Sequence, residues 1–243
     1  MAVWYHHKLC KGEFIIMRII LASGSPRRKE LLAQAGYDFV IEVSDADENI
    51  QADSPGTLVE ELSHRKAGAV AKQHMAGESG TACHAADYAD GAAIKTTGAG
   101  AAAPGQDMYT IIGADTVVAV DGRVLGKPDG EEGAVEMLRS LSGRTHQVYT
   151  GVSLLLLVDG RLAAEEKFHV CTDVTMREIS DEEIRWYVST GEPMDKAGAY
   201  GIQGKAAVFI SGIHGDYYNV VGLPLCETVS RLRRMWKEKD IHE

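Results

Sequence analysis

Residues 23–28 (SGSPRR) are the strongest candidate for ligand chemistry in this sequence. They place two hydroxyls, a glycine turn and the guanidiniums of Arg27 and Arg28 where a helix begins after a short apolar strand. The unpaired N–H groups and positive dipole end of a helix favour phosphate, and the planar fork of arginine matches phosphate oxygens. The segment therefore predicts an anion site. The alternative is an ordinary capped helix whose arginines are solvated.

Lys66 is a second candidate because it shares a predicted helix face with apolar residues. It lies one helical repeat beyond Leu62 and two beyond Leu58, so the periodicity turns it toward the protein interior. A lysine in such a place either extends its ammonium to solvent or meets an anion. The neighbouring cationic segment at residues 23–28 favours the second interpretation.

Residues 113–116 (GADT) place the carboxylate of Asp115 among small residues and interrupt an otherwise strand-like run. Small neighbours let a backbone approach a ligand, and a carboxylate can hold a metal ion. Asp115 is the best candidate for a catalytic group, and the alternative is a turn aspartate bonded to local backbone. Asp45, Asp47 and Glu48 form an acidic cluster, from which we expect one oxygen ligand and at least two solvated side chains.

Two later segments could contact a bound ligand. Lys127, in residues 126–128 (GKP), lies just past a predicted hairpin strand and either reaches over a cleft or is an ordinary exposed lysine. Residues 195–204 (DKAGAYGIQG) are rich in glycine yet contain Tyr200 and Gln203. Such a loop can close around a base, and an amide offers both the donor and the acceptor that pyrimidine recognition requires. A glycine loop without function is the alternative.

Several other classes of protein are disfavoured. Residues 98–103 (GAGAAA) fit a dinucleotide-binding pattern but follow no strand, and the motifs of P-loop enzymes, zinc proteases and α/β-hydrolases are missing from the sequence. The formal net charge of -10 disfavours an extended nucleic-acid surface. Four dispersed cysteines and the lack of a membrane-length apolar run predict a reduced, cytoplasmic protein that does not bind membranes.

The elements that must position these residues alternate between strand and helix. Strands are predicted at 19–22, 39–43, 111–112, 117–120, 123–125 and 152–158, with hairpin turns at the Asp-Gly pairs 121–122 and 159–160. Helices are predicted to begin after Ser25 and Ser54 and to span 131–141, 180–188 and 224–236, and Ser180 and Glu183 form a capping box. The pattern predicts an α/β fold with a mixed sheet flanked by helices.

The 243 residues are expected to form one catalytic domain at 17–243 after an N-terminal extension at 1–16. Met17 is a candidate natural start because an apolar run opens there. Residues 75–109 are rich in Gly, Ala, Ser and Thr and cannot bury enough surface to offset their ordering entropy. We therefore predict a surface insertion there.

Taken together, residues 21–28 (LASGSPRR), 113–116 (GADT) and 141–143 (LSG) resemble the Maf family. Residues 65–67 (RKA), 126–128 (GKP) and 221–224 (VGLP) also match, in order, between about residue 17 and the C-terminal helix. The resemblance implies a nucleoside triphosphate pyrophosphatase with an elongated α/β fold and a cleft between two lobes. It also implies a divalent metal cation, Mg or Mn, and a homodimer.

The resemblance also implies roles for individual residues. Asp115 matches the family's proposed proton acceptor, and Asp115 and Glu48 are the expected metal ligands. The expected catalytic residues are Asp115, Glu48, Lys66 and Lys127. The expected substrate-binding residues are Ser23, Arg27, Arg28, Thr116 and Gln203, of which Arg27, Thr116 and Gln203 match positions linked to substrate choice.

Residues 195–204 resemble the branch of the family that acts on dTTP and UTP, so the expected reaction yields the nucleoside monophosphate and pyrophosphate. One alternative is the branch that acts on 7-methyl-GTP. Another, from a different class, is a non-catalytic nucleotide-binding regulator of cell division, against which the intact Asp115, Lys66 and Lys127 argue. The expected partner is a nucleoside triphosphate, and no nucleic acid or membrane partner is expected.

Overall fold

The computed structural model describes residues 6–8, 14–75 and 107–239. Within them, eight strands form one sheet: β1 His6–Lys8, β2 Phe14–Leu21, β3 Phe39–Ile41, β4 Asp107–Val120, β5 Arg123–Leu125, β6 Thr145–Val158, β7 Arg161–Met176 and β8 Ile210–His214. The α-helices are α1 Pro26–Gln34, α2 Pro55–His74, α3 Gly130–Leu141, α4 Asp181–Ser189, α5 Tyr217–Val221 and α6 Leu225–Glu238. Three short 3₁₀ helices span Glu192–Asp195, Ala197–Ala199 and Lys205–Phe209.

The sheet is mixed, as the sequence predicts. Its order is β1-β2-β4-β6-β7-β8, with β3 pairing with β2 and β5 pairing with β4. The pairs β2 with β3 and β2 with β4 are parallel, and the helices α1 and α2 lie in the connections that parallel pairing requires. All other pairs are antiparallel. No helix among the described residues is long and apolar enough to cross a membrane.

The local signals of the sequence are mostly confirmed. Both Asp-Gly pairs form the tight turns of hairpins, with positive φ at Asp121, Gly122 and Asp159, because a two-residue hairpin loop needs this backbone twist. Ser180 and Glu183 form the predicted capping box of α4. Ser54 accepts a hydrogen bond from the Thr57 amide and so caps α2.

Four predictions about element boundaries need correction. Residues 113–116 do not interrupt a strand, because β4 runs without a break through them and keeps its pairing with β6. Residues 107–109, assigned above to an insertion, are the first part of β4, and residues 76–106 and the pattern at 98–103 lie outside the described residues. Strand β2 begins at Phe14, inside the predicted extension, and β3 ends two residues earlier than expected.

The long strands β4 and β6 contribute to three hydrophobic clusters. One packs Ile111 and Leu155 against α2, and the other two, the cores described next, lie toward opposite ends of the strands. Near one end, Ile112, Ala114 and Val152 pack with helices α1 and α6. Near the other end, Val118 and Val148 pack with helices α3 and α4. Since β4 and β6 contribute to both cores, the stretch of sheet between them forms the floor of a cleft. This is the two-lobed arrangement that the resemblance implies.

Strand β4 has an open edge between the two cores. Its residues up to Ile112 pair with β2, and its residues from Val118 onward pair with β5. Residues 113–117 therefore lack a neighbouring strand on that side within the described chain. Side chains alternate along a strand, so Asp115 and Thr116 point to opposite faces of the sheet at this opening.

Helix α2 lies against the sheet at positions where only glycine fits. A Cβ at Gly113 would be 2.3 Å from the Ser63 carbonyl oxygen, and a Cβ at Gly151 would be 2.2 Å from the Val59 carbonyl oxygen. Asp115 and Gly151 are directly opposite each other on β4 and β6. The close approach therefore places α2 over the face to which the Asp115 side chain points.

We predict that Gly151→Ala destabilises the protein by about 1–3 kcal/mol, because the new methyl group must push α2 off the sheet. The control is Gly68→Ala, which lies on α2 itself, because an added Cβ there meets no atom within 4 Å. Removing a helical glycine there should stabilise the protein by up to about 1 kcal/mol. Urea denaturation measures both variants, and equal midpoints for Gly151→Ala and the wild type would contradict the packing argument.

Candidate active site

A cleft of about 890 Å³ opens over the floor between the two cores. Its lining comes from α1 and the loop before it, from α2, β4 and α5, and from the segments around residues 48, 127 and 192–204. All nine candidate residues named from the sequence line it: Ser23, Arg27, Arg28, Glu48, Lys66, Asp115, Thr116, Lys127 and Gln203. Residues as far apart in the chain as Ser23 and Gln203 thus share one cavity, while their individual roles stay predictions.

The loop at residues 22–25 carries the chain from the end of β2 into α1 and onto the open edge of β4. Ser25 occupies the N-cap position, as expected, but its side chain makes no capping hydrogen bond. Instead the Ser25 amide donates to the Ser23 hydroxyl, at 3.3 Å. The first turn of α1, with Arg27 and Arg28, faces the cleft. This arrangement supports the predicted anion site, because the end of the helix offers N–H groups and a positive dipole there.

Arg28 connects three separate segments. Its guanidinium donates to the Ser23 hydroxyl at 3.0 Å, to the Thr116 hydroxyl at 3.0 Å and to the Gly222 carbonyl oxygen at 2.8 Å. Burial lowers the pKa of Arg28, yet a guanidinium stays charged at neutral pH. Three of its five N–H donors are thus used within the protein. Arg28 shapes the cleft in addition to contributing charge.

Lys66 meets anions. Its ammonium donates to Asp115 Oδ1 at 2.6 Å and forms an ion pair with Glu48 Oε1 at 2.8 Å. The Lys66 and Asp115 side chains are 16% and 14% exposed, whereas Glu48 is 64% exposed. The sheltered carboxylate of Asp115 and the more exposed carboxylate of Glu48 therefore share the ammonium of Lys66.

Glu48 is the member of the acidic cluster that reaches the cleft. The hydrogen bond from Lys66 is the main cause that lowers its pKa, and the charges of Lys127 and Arg28 act in the same direction. Asp45 and Asp47 are exposed and do not line the cleft, and Asp47 accepts a hydrogen bond from the Asn49 amide instead. Two of the three acidic side chains are solvated, as predicted.

Asp115 and Glu48 also form the only carboxylate pair bridged by one ammonium in the described part of the cleft lining. No group of three or more His, Cys, Asp or Glu side chains among the described residues could hold a metal by itself. Mg²⁺ in nucleotide enzymes is usually bound by one or two carboxylates together with substrate phosphates and water. Two carboxylates beside an anion site fit that requirement.

The cleft lining also contains two residues, Lys196 and Glu192, that the sequence did not single out. Lys196 is only 14% exposed, and its ammonium donates to the Glu192 carbonyl oxygen at 2.8 Å and to Asp195 Oδ1 at 2.6 Å. The Glu192 carboxylate accepts from the Tyr187 hydroxyl and from the Lys205 amide. The glycines and the glutamine of residues 195–204 are the local signal of that segment, and they do not distinguish Lys196; no local pattern marks Glu192.

Tyr200 and Gln203 have different environments, although both line the cleft. Tyr200 is buried, and its hydroxyl lies 2.7 Å from Nε2 of the buried His146. Burial lowers the pKa of His146 to about 4, so this ring is neutral at pH 7. Gln203 is exposed. The hydroxyl of Tyr200 anchors the segment in the second core, and Gln203 has the accessible polar group.

The fold and the cleft together are typical of α/β proteins that bind a phosphate-bearing ligand at the carboxyl end of parallel strands. The family described as Maf-like protein matches residues 18–235. The chain belongs to the Maf family.

Relatives of known name extend over nearly the whole chain. A dTTP/UTP pyrophosphatase of Agathobacter rectalis is 46% identical over 218 residues, which is 90% of this chain and 97% of the relative. A dTTP/UTP pyrophosphatase of Symbiobacterium thermophilum is 48% identical over 218 residues, which is 89% of this chain and 93% of the relative. Among solved structures, a nucleoside-triphosphatase or dITP/XTP pyrophosphatase from Mycobacterium abscessus covers 91% of this chain and 97% of its own, at 15% identity and a TM-score of 0.35.

We predict that Lys66→Met raises the pKa of Glu48 toward its ordinary value, because the hydrogen bond from Lys66 is the main cause of the lowering. Lys127→Met is the control and should raise it less, since Lys127 acts only through its charge. Carboxyl-carbon NMR titration of Glu48 measures both. An unchanged titration curve in Lys66→Met would mean that the ion pair does not form in solution.

Proposed function

We propose that this protein hydrolyses dTTP and UTP to the nucleoside monophosphate and pyrophosphate. The observation that carries the proposal is the cleft, in which Lys66 joins the carboxylates of Asp115 and Glu48 beside the first turn of α1. Relatives at 46% and 48% identity bear the name dTTP/UTP pyrophosphatase, and the match includes the segments that carry these residues.

In the proposed reaction, a water oxygen forms a bond to the α-phosphorus while the bond from that phosphorus to the bridging oxygen breaks. Asp115 accepts the proton of the water, because its carboxylate is sheltered at the floor of the cleft. Lys66 holds that carboxylate in place through the 2.6 Å hydrogen bond. The electron pair of the broken bond leaves on pyrophosphate.

A divalent metal, Mg or Mn, held by Asp115 and Glu48 would polarise the phosphate and lower the pKa of bound water. The low pKa of Glu48 suits this role, since a ligand carboxylate must be ionised. The metal is part of the proposal and rests on the two carboxylates and on the resemblance.

Positive charge around the cleft would stabilise the phosphate chain in the transition state. Arg27, the N-terminal end of α1 and the exposed Lys127 all line the cleft. Charge that builds up on phosphate oxygens is stabilised most by groups that are already fixed in position. Arg28 meets this condition best, because three hydrogen bonds hold its guanidinium.

A screen of nucleoside triphosphates with Mg²⁺ or Mn²⁺, reading released pyrophosphate, tests the proposal. We expect release from dTTP and UTP. Release from 7-methyl-GTP alone would assign the protein to the other branch of the family. Nucleotide binding without release from any compound would make it a binding protein, and would overturn the proposal.

We predict that Asp115→Asn abolishes turnover while nucleotide affinity changes by less than about tenfold, because the substitution removes the base but leaves the cationic groups. Single-turnover kinetics and calorimetric titration with UTP measure the two effects. Asp47→Asn is a control outside the cleft and should turn over normally. Wild-type turnover by Asp115→Asn would remove Asp115 from the mechanism.

We predict that Gln203→Ala lowers kcat/KM on dTTP and UTP much more than on CTP, ATP and GTP. The phosphate chain is the same in all five, so only base contacts distinguish them, and an unsatisfied polar contact costs about 1–3 kcal/mol, or roughly tenfold to a hundredfold. Steady-state kinetics on the five nucleotides measures the ratio. A uniform fall would show that Gln203 supports its loop and does not contact the base.

A further inference from the structure

Behind the cleft, a chain of hydroxyls leads from Thr116 into the sheet. Thr116 on β4 and Thr150 on β6 are directly opposite each other, and their hydroxyl oxygens are 2.9 Å apart. Thr150 is completely buried, and its hydroxyl lies 2.8 Å from the carbonyl oxygen of Asn219. On the cleft side, Arg28 donates to the Thr116 hydroxyl at 3.0 Å.

The direction of these hydrogen bonds follows from counting protons. A carbonyl oxygen only accepts, so the single proton of the Thr150 hydroxyl is donated to Asn219. Thr150 must then accept from Thr116, which uses the only hydroxyl proton of Thr116. Toward the cleft, the Thr116 oxygen can therefore only accept hydrogen bonds.

The Ser23 hydroxyl contacts the same guanidinium but has the opposite hydrogen-bonding role toward a ligand. Its hydroxyl oxygen accepts from Arg28 at 3.0 Å and from the Ser25 amide at 3.3 Å. Both lone pairs are engaged, so the hydroxyl of Ser23 can only donate further. A donor suits a phosphate oxygen, whereas the acceptor at Thr116 does not. The two hydroxyls on Arg28 therefore suit different parts of a ligand.

The side chain of Asn219 holds its own backbone carbonyl in place, and the direction of the Thr150 and Thr116 hydrogen bonds depends on that carbonyl. Its side-chain amide donates to the Val148 carbonyl oxygen and to the Thr172 hydroxyl, both at 2.9 Å. Thr172 in turn donates to the Asp216 carbonyl oxygen and accepts from the Asp216 amide. Asn219, Thr150 and Thr172 are all fully buried, so water does not compete for these bonds. The network ties α5 to the sheet directly behind Thr116.

We propose that Thr150 and Asn219 are positioning residues that hold the Thr116 hydroxyl as an obligate hydrogen-bond acceptor, so that Thr116 receives a donor group in the cleft. This inference rests on the proposed function for the identity of the ligand. Two donors are available in that reaction: the ring N–H of a uracil or thymine base, and the O–H of the attacking water. A cation on the same oxygen is disfavoured, because the Arg28 guanidinium is already 3.0 Å from it.

The test is a double-mutant cycle on the two hydroxyls, with UTP and CTP as substrates. It compares Thr150→Val, Thr116→Val and the double variant by kcat and KM, and by calorimetric binding of each nucleotide. Thr150→Val keeps the side-chain shape but frees the Thr116 proton to turn toward the cleft. Thr145→Val is the matched control, since Thr145 also faces a threonine hydroxyl across β6 and β7, at 2.8 Å, but does not line the cleft.

We expect Thr150→Val to lower kcat/KM on UTP by about tenfold or more, and Thr145→Val to change it by less than about twofold. Thr150→Ser should restore most of the loss because it retains the hydroxyl. In the Thr116→Val background, Thr150→Val should have little further effect, since coupled residues are not additive. If Thr150→Val does not fold, Thr150→Cys takes its place in the cycle, because a thiol is only a weak donor and acceptor.

The two donors give different results. A fall in the UTP-to-CTP ratio indicates the base, because cytosine has an acceptor where uracil has a ring N–H. A fall in kcat on both substrates at unchanged KM indicates the attacking water. Equal losses from Thr150→Val in the wild-type and Thr116→Val backgrounds would overturn the inference. If the wild type releases no pyrophosphate, the proposed function fails. The double-mutant cycle measured by calorimetric nucleotide binding then tests the inference on its own. Additive effects of Thr150→Val and Thr116→Val on affinity would overturn it.

Discussion

The site depends above all on one constraint, the burial of a lysine ammonium on the inner face of α2. A charge that is shielded from water is costly unless it is paired, and Lys66 has two carboxylates within 2.8 Å. The pairing is possible because Gly113 and Gly151 let the helix approach the sheet, since any Cβ there would collide with the α2 backbone. Packing and charge pairing thus support each other: the close contact brings Lys66 to Asp115, and the ion pair makes its burial tolerable.

A second feature, the change of neighbours along β4, explains why the cleft lies where it does. A strand that is paired on both sides has no room for a ligand at its edge. Strand β4 is paired with β2 up to Ile112 and with β5 from Val118, and Asp115 and Thr116 lie in between. Because their side chains point to opposite faces, one residue meets α2 while the other meets Arg28 from α1. Two consecutive residues therefore join two different parts of the site.

Arg28 illustrates how a single side chain organises the cleft. Its three hydrogen bonds link the end of β2, the open part of β4 and the end of α5. Behind it, Thr150 and Asn219 continue the same network into the sheet. Buried hydrogen bonds of this kind are stronger than exposed ones, and they give each hydroxyl a fixed direction. The geometry that faces the ligand is therefore set partly by residues that the ligand never contacts.

The sequence by itself determined the α/β class, both Asp-Gly hairpins, the capping box of α4 and nine of the residues that line the cleft. These features have local signals or belong to motifs, because turn chemistry, capping and hydrophobic periodicity act over a few neighbouring residues. Only the tertiary structure decided the rest. It showed that β4 is continuous through Asp115 and that Lys66 pairs with both carboxylates. It also showed that Lys196 lines the cleft and that the Thr150 hydroxyl contacts the Thr116 hydroxyl. Such contacts join residues far apart in the chain, and their geometry depends on how close a helix can approach a sheet, which no short stretch of sequence encodes.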